Sequence, residues 1–437
     1  MVNEPRRLPV ATLIEDGVLV INDGYRAKNS ELSTTGLPFA RAQNINDGFH
    51  FDDADRLPEN DLRKVGIKIS QSGDVVFTSK GTVGRFALVR PDTPRFVYAP
   101  QLCFWRSTNP KRLDPLYLYY WMNSREFFVQ FKGVSGQTDM AEYVSLRDQR
   151  AMHITLPELS VQRRIAAILG SLDDKIGLNR RISRTLERMA QTFFKSWFVE
   201  FDPVRAKAAG DTTAGGLPAP FAALFPDRLV ESELGEIPEG WEVQSLDEIA
   251  DYLNGLACQK YPAVEGKTSL PVIKIRELRQ GITENSDRAT AEVAAKYIIN
   301  DGDILFSWSG SLLVTIWCNG RGVLNQHVFK VTSAKYPKWY YYHATKHHLE
   351  EFQRIAADKA TTMGHIQRHH LTNAKLAVPP EKLMLAATEI LGTAIDRRIN
   401  ALRQARTLAR LRDTLLPKLL SGEVELSEAE AAVREVS

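Results

Sequence analysis

Four stretches of the sequence place reactive residue types at spacings that chemistry uses. His365 and His369, four apart, would share one face of a helix and could hold a metal ion. No glutamate separates them and no third ligand stands at a matching spacing, so they read with the surface or nucleic-acid-facing histidines, seven of nine of which lie at 327 or beyond. Gly266-Lys267-Thr268 ends like a phosphate loop, but Tyr261 occupies the position that needs glycine, so the cradle of backbone N–H groups is not encoded. Asp251 with Glu265-Gly266-Lys267 imitates the acidic and lysine spacing of metal-dependent nucleases, yet the matching region of the first half of the chain has nothing like it. Val378-Pro379-Pro380 lacks both the acidic or amide residue and the aromatic of a nucleic-acid methyltransferase loop. No catalytic constellation, metal site or cofactor loop is encoded.

Polar side chains suited to base edges and phosphates recur instead at matched places in two halves. Arg41 and Gln43, and Lys274 and Arg276, alternate on segments that read as strands. Ser79, Lys80, Gln101, Gln137 and Thr138 fall in turns of the first half, and Asn325, Gln326, Thr362 and His365 in turns of the second. Gln and Asn can pair bidentately with adenine; Lys and Arg can meet guanine or a phosphate. Each residue taken alone reads first as solvated surface.

The elements that must position these residues are written twice. Leu37-Pro38 realigns with Leu270-Pro271 at an offset of 233, and Gly73-Asp74 with Gly302-Asp303 at 229. Gln101 realigns with Gln326 at 225, and Leu156-Pro157 with Val378-Pro379 at 222. The order is kept while the offset shrinks, as a duplication with small deletions would give. Each copy has short β-branched and aromatic runs between turn residues, then a helix-like stretch, then one long helix. The expected division is globule 1–155, long helix 156–204, linker 205–238, globule 239–377, long helix 378–422 and tail 423–437.

The first long helix is expected over 160–198, capped by Ser160, with an apolar stripe at Val161, Ile165, Ile168, Leu172 and Ile176 that resumes at Ile182, Leu186, Met189, Phe193 and Trp197. Asp202-Pro203 is expected to close it. The second is expected over 381–416, stopping at Pro417. Their lengths, roughly 58 and 54 Å, exceed what a globule of this size can wrap. The stripes are therefore expected to bury each other, antiparallel, giving an α+β fold of two similar globules on a rod. Such a rod would span about 16 base pairs of a linear polymer such as DNA at roughly 3.4 Å each. Phe193, Phe194, Trp197, Phe198 and Phe201 read either as a docking knob for a partner, Phe194, Trp197 and Phe198 foremost, or as the seat of the helix end.

Composition sets the outer limits. Of 437 residues, 43% are hydrophobic and 25% charged, which is ordinary for globular proteins. The net charge of +3 announces no partner. Yet residues 151–210 hold ten Lys/Arg against six Asp/Glu, and 211–240 hold one against six. No apolar run approaches the ~20 residues of a membrane span, and Glu15 and Asp16 interrupt the opening segment. Cys103, Cys258 and Cys318 stand far apart. A soluble cytoplasmic protein with reduced thiols is expected.

Several motifs resemble one family. They are Gly73-Asp74-Val75-Val76-Phe77 with Ser79-Lys80-Gly81-Thr82-Val83-Gly84, Gln162-Arg163-Arg164-Ile165-Ala166-Ala167-Ile168-Leu169, and Phe194-Lys195-Ser196-Trp197-Phe198-Val199-Glu200-Phe201-Asp202-Pro203-Val204. Glu239-Gly240-Trp241-Glu242, Thr361-Thr362-Met363-Gly364-His365-Ile366 and Leu415-Leu416-Pro417-Lys418-Leu419-Leu420-Ser421-Gly422 complete the set. Together the chain resembles the DNA-specificity subunit of type I restriction–modification systems over nearly its whole length. The resemblance implies two target-recognition domains, each reading half of a split double-stranded DNA sequence, with a coiled-coil spacer setting the gap. It implies two methyltransferase subunits and, in the full complex, restriction/translocase subunits as partners. S-adenosylmethionine, ATP and Mg would sit on those partners and no cofactor on this chain, which would neither methylate nor cut. Two other classes fit less of the sequence: a coiled-coil scaffold joining protein-binding modules, and a nuclease with duplicated lobes.

Overall fold

The computed structural model describes residues 6–45, 48–80, 84–135, 144–358 and 364–436. It divides into two compact units, Met1–Lys175 with Leu408–Ser437, and Ile176–Thr407. In the first unit, Leu19–Asp23, Leu102–Ser107, Val75–Thr78 and Phe86–Leu88 form an antiparallel four-stranded sheet in that order. Beside it, Leu37–Ala40 pairs antiparallel with Arg56–Leu57 and parallel with Val97–Tyr98. Arg6–Pro9 pairs with His153–Leu156 where the chain leaves for the long helix.

The second unit repeats this topology and adds to it the strand Ile298–Ile299, antiparallel to Gly322–Leu324, and the hairpin of Leu229–Ser232 with Gly235–Pro238. Asp251–Asn254, Val328–Thr332, Ile304–Ser307 and Leu313–Ile316 form the antiparallel sheet. Ser269–Ile273 lies antiparallel to Arg288–Thr290 and parallel to Gly322–Leu324. Glu242–Ser245 pairs with Lys375–Val378. Turn chemistry repeats too. Gly73 and Gly302 both hold φ +90°, a conformation glycine adopts without a Cβ clash, and the next residues, Asp74 and Asp303, accept backbone N–H groups from Gln71 and Asn300 at 2.8 Å. A Cβ on Gly24 would lie 2.0 Å from the Ala99 carbonyl oxygen, and one on Gly255 2.2 Å from that of Asn325. The same close backbone crossing is thus built into both units.

Strand register corrects one pairing made by letter matching. Val76 faces Phe104 and Leu305 faces Lys330, so the offset there is 226 and the counterpart of Gln101 is His327, not Gln326. A further correction concerns Arg41, Gln43, Lys274 and Arg276, which lie beyond the strand ends. Arg41 caps the turn Ala42–Asn44, its N–H bonded to Asn44 Oδ1 at 2.8 Å, and Lys274 caps the helix Ile275–Gln280, its N–H bonded to Glu277 Oε2 at 3.1 Å. The capping side chains three residues on outcompete continued strand pairing.

The first long helix runs Leu159–Phe198. Glu158, ahead of Ser160, accepts its first N–H groups, from Val161 and Gln162. It ends before Asp202-Pro203: Phe201 turns left-handed at φ 56°, and Pro203 opens the short helix Asp202–Ala208. The second runs Glu381–Ala387, through a π-helical turn at Thr388–Gly392, then Thr393–Ser421. Pro417 does not stop it. The stop is Gly422 at φ +73°, with Glu423 N–H bonded back to Lys418 O at 2.9 Å.

Within each unit the two helices run antiparallel. In the first, Arg412 Nη1 donates to Asp173 Oδ1 at 2.6 Å, and Tyr120 Oη to the other Asp173 oxygen at 2.7 Å. In the second, Asn179 Nδ2 donates to Gln404 at 3.1 Å, and Glu187 receives Arg398 at 3.1 Å, Tyr342 Oη at 2.7 Å and Lys346. Burial opposes ionisation of Glu187, but Arg398 and Lys346 hold its carboxyl below the usual range. The helix face buried here departs in part from the stripe expected from hydrophobicity, which keeps Trp197 but loses Ile182 and Met189. Asn179, Ser183, Ala190 and Phe194 are buried, while Leu178, Ile182 and Met189 are exposed. Small and hydrogen-bonding residues thus continue the buried face through 179, 183, 190 and 194.

The connector between the globules is ordered. Val204, Phe221, Phe225 and Ile237 enter the core of the second unit, with Trp197 and Phe221 rings 4.9 Å apart. The tail forms the helix Leu426–Glu435, and Glu430 accepts from Arg164 at 2.9 Å. All three cysteines are free and buried. No helix among the described residues is long and apolar enough to cross a membrane.

Candidate nucleic-acid interface

In both units, three loops far apart in sequence are stitched together at the end of the Gly-Asp strand. In the first, Ser79 N–H donates to Gln101 O at 2.9 Å, and Ser79 O accepts from Val144 N–H at 3.1 Å. In the second, Trp308 N–H donates to His327 O at 3.3 Å, and Trp308 O accepts from Ile366 N–H at 3.0 Å. The hairpin that follows the strand is closed alike: Thr78 Oγ1 accepts from Arg85 N–H at 3.1 Å, and Ser307 Oγ from Leu313 N–H at 2.9 Å. The structure thus joins the loop after the Gly-Asp strand, the 101/327 position, and the chain just upstream of the last short helix.

The sequence-derived candidates fall differently about this junction. In the first unit Ser79 is buried, Lys80 and Gln43 are exposed, and Gln101 Oε1 is buried with no hydrogen-bond partner among the described residues. Arg85 reaches Ala42 O at 3.3 Å and so brings the Arg41–Gln43 turn to the hairpin. Arg41 itself is paired with Asp55 at 2.6 Å. Gln137, Thr138 and Thr362 lie outside the described residues.

In the second unit Asn325, Gln326 and His365 gather around two residues that sequence reasoning passed over, Trp308 and His327. His327 Nδ1 lies 3.1 Å from Ser309 Oγ, and its Nε2 3.3 Å from Gln326 Nε2. Trp308 donates to Asn254 Oδ1 at 3.0 Å, and its ring lies 5.8 Å from His327 and 6.4 Å, edge-on, from His365. Asn325 is nearly buried and serves the turn, its Oδ1 accepting from His327 N–H at 3.3 Å. Lys274 is spent on Asp287, and Arg276 on Glu277 and the Asn285 carbonyl. The signal for His327 was present in the repeat, one residue from where letter matching placed it.

The three aromatics read as a possible docking knob are enclosed. Phe194, Trp197 and Phe198 are 3%, 5% and 1% exposed. Phe194 stacks on His343 at 5.5 Å, and Phe198 tilts against Trp339 at 5.4 Å and Trp241 at 5.9 Å. Burial drives the His343 pKa down to about 3. These rings are the seat of the helix end, and docking is not assigned to them. His365 and His369 take part in no cluster of three metal-ligating groups among the described residues.

A family model, the type I restriction modification DNA specificity domain, matches residues 16–188 and again 238–397. The chain belongs to this family. It is a specificity subunit carrying two DNA specificity domains, a non-catalytic component of its system. Among its relatives, the type I restriction enzyme MjaIX specificity subunit of Methanocaldococcus jannaschii is 24% identical over 383 residues, covering 85% of this chain and 82% of the relative. The HindI specificity subunit of Haemophilus influenzae is 23% identical over 414 residues, covering 83% and 89%. The crystal structure of a type I restriction–modification S subunit from M. genitalium shares the fold, with a TM-score of 0.56 at 13% identity over 95% of this chain and 96% of that one.

Proposed function

We propose that each unit of this specificity subunit reads one half of a bipartite double-stranded DNA sequence through its stitched loop junction, and that the paired helices fix the gap. The observation that carries this reading is the identical junction in two sequence-divergent copies: backbone bonds hold the scaffold constant while Gln101 in one unit becomes His327 in the other. A constant frame with exchangeable polar side chains suits reading different bases at equivalent positions. Two methyltransferase subunits dock on the helices, and restriction/translocase subunits complete a cytoplasmic assembly. S-adenosylmethionine, ATP and Mg belong to those partners. Leu178, Ile182 and Met189, exposed and on one face of the first long helix, are the apolar surface on offer for such docking.

Gln101 and Lys80 separate base reading from phosphate holding. In the methyltransferase complex, Gln101→Ala is expected to relax base preference in one half-site, by about 1–3 kcal/mol of discrimination. Lys80→Ala is expected to weaken every sequence alike and to lower the salt slope by about one. Binding to single-base variants of the site at two salt concentrations measures both. Unchanged affinity ratios in Gln101→Ala would remove the junction from base reading.

A further inference from the structure

On the second unit's face, the short helix Ile275–Gln280 lies against the loop that follows Trp308: a Cβ on Gly310 would meet Ile275 Cδ1 at 3.7 Å. Between them opens a groove of about 400 Å³ lined by Arg279, Ser311 and Gln353, two glycines (Gly310 and Gly364), and apolar Leu312, Ala356 and Ala357. Its far wall is tied by hydrogen bonds and a close backbone approach. Gly310 N–H donates to Gly364 O at 2.8 Å, Gln353 Nε2 donates to Leu312 O at 3.1 Å, and a Cβ on Gly364 would lie 2.1 Å from Ala356 O. The helix carries two cations near the groove, and their states differ. Arg276 is held by Glu277 and a backbone carbonyl. Arg279 is exposed and, among the described residues, has neither a carboxylate nor a hydrogen-bond partner. Lys274, which caps the helix, is held by Asp287.

We infer that this groove seats a DNA phosphate, with Arg279 as its cation, and that Lys274 and Arg276 are structural. The inference rests on the reading of the second unit as a DNA reader and names the backbone contact beside its base-reading junction. The Ser309 backbone bridges to His365, so the groove wall and the junction are parts of one loop pair. A phosphate held on Arg279 would therefore set the position of Trp308, His327 and His365 against the bases without itself specifying sequence.

The test uses the full chain in its methyltransferase complex, with two duplexes, one carrying the mapped target and one with both half-sites scrambled. Arg279→Ala is expected to weaken both duplexes by the same factor, about ten-fold, and to lower the slope of log K against log salt by about 0.9, the value of one phosphate. Arg279→Lys should retain most of that slope, and Lys274→Ala should leave it unchanged in a folded complex. An Arg279→Ala complex with the wild-type slope would overturn the assignment alone. So would a variant that altered preference among bases and not the slope. A wild-type complex that bound neither duplex in a salt-dependent way would overturn the underlying reading and this assignment with it.

Discussion

Lengthening both long helices by four residues, after Gly177 and after Gln404, is expected to widen the accepted gap by about two base pairs while both half-sequences stay the same. Four helical residues add about 6 Å, against roughly 3.4 Å per base pair. The insertion points lie between the ties that pair the helices, Asp173 with Arg412 in one unit and Glu187 with Arg398 in the other. Each unit therefore keeps its own ion cluster and the tyrosine bound to it. Mapping methylated sites in cells carrying the variant reads the gap directly. Altered half-sequences at an unchanged gap would show that the helices are not the ruler.

Asp74→Asn is expected to destabilise the first unit by about 3–5 kcal/mol, the range for breaking a buried ion pair. Asp74 is fully buried, and its two oxygens receive Arg106 Nε and Nη2 at 2.6 and 2.7 Å and Tyr98 Oη at 2.6 Å. Burial and the Asp74 carboxylate together hold the Tyr98 phenol well above its ordinary value. Neutralising Asp74 would leave the Arg106 guanidinium, only 10% exposed, without its counter-charge. The equivalent Asp303 opens the inner strand Ile304–Ser307, paired with Lys330 at 2.8 Å but 22% exposed, so Asp303→Asn is expected to cost about 1 kcal/mol. Chemical denaturation of the two variants measures the contrast. Equal losses would mean that burial of the first pair contributes nothing.

The repeat was legible because glycine and aspartate mark turns that every copy must make: Gly73-Asp74 and Gly302-Asp303 keep the same φ and the same carboxylate bond. The antiparallel helix pair was legible from one-sided apolar spacing in its first part, where Ile165, Ile168, Leu172 and Ile176 are buried. Beyond it the periodicity holds only in part: Trp197 is buried, but Ile182 and Met189 are exposed. The seam there is built of Asn179, Ser183 and Ala190, whose value lies in a hydrogen bond and close approach rather than in hydrophobicity. Letter matching likewise favoured Gln326 over His327, because identity of side chains carries no information about which face of a strand they occupy. The candidate loops were found from their recurrence, but Trp308, His327 and Arg279 were not. Their significance depends on which neighbours are already spent, and Lys274, Arg276 and Arg41 look as available in the sequence as Arg279 does.

If the two units are separable readers, exchanging one must change only its own half-site. Replacing residues 1–155 with the equivalent domain of a family relative, followed by sequencing of methylated adenines in the host genome, tests it most directly. The expected result is a new sequence in one half of the target, with the other half and the gap unchanged. A folded chimaera that altered both halves, or neither, would contradict it.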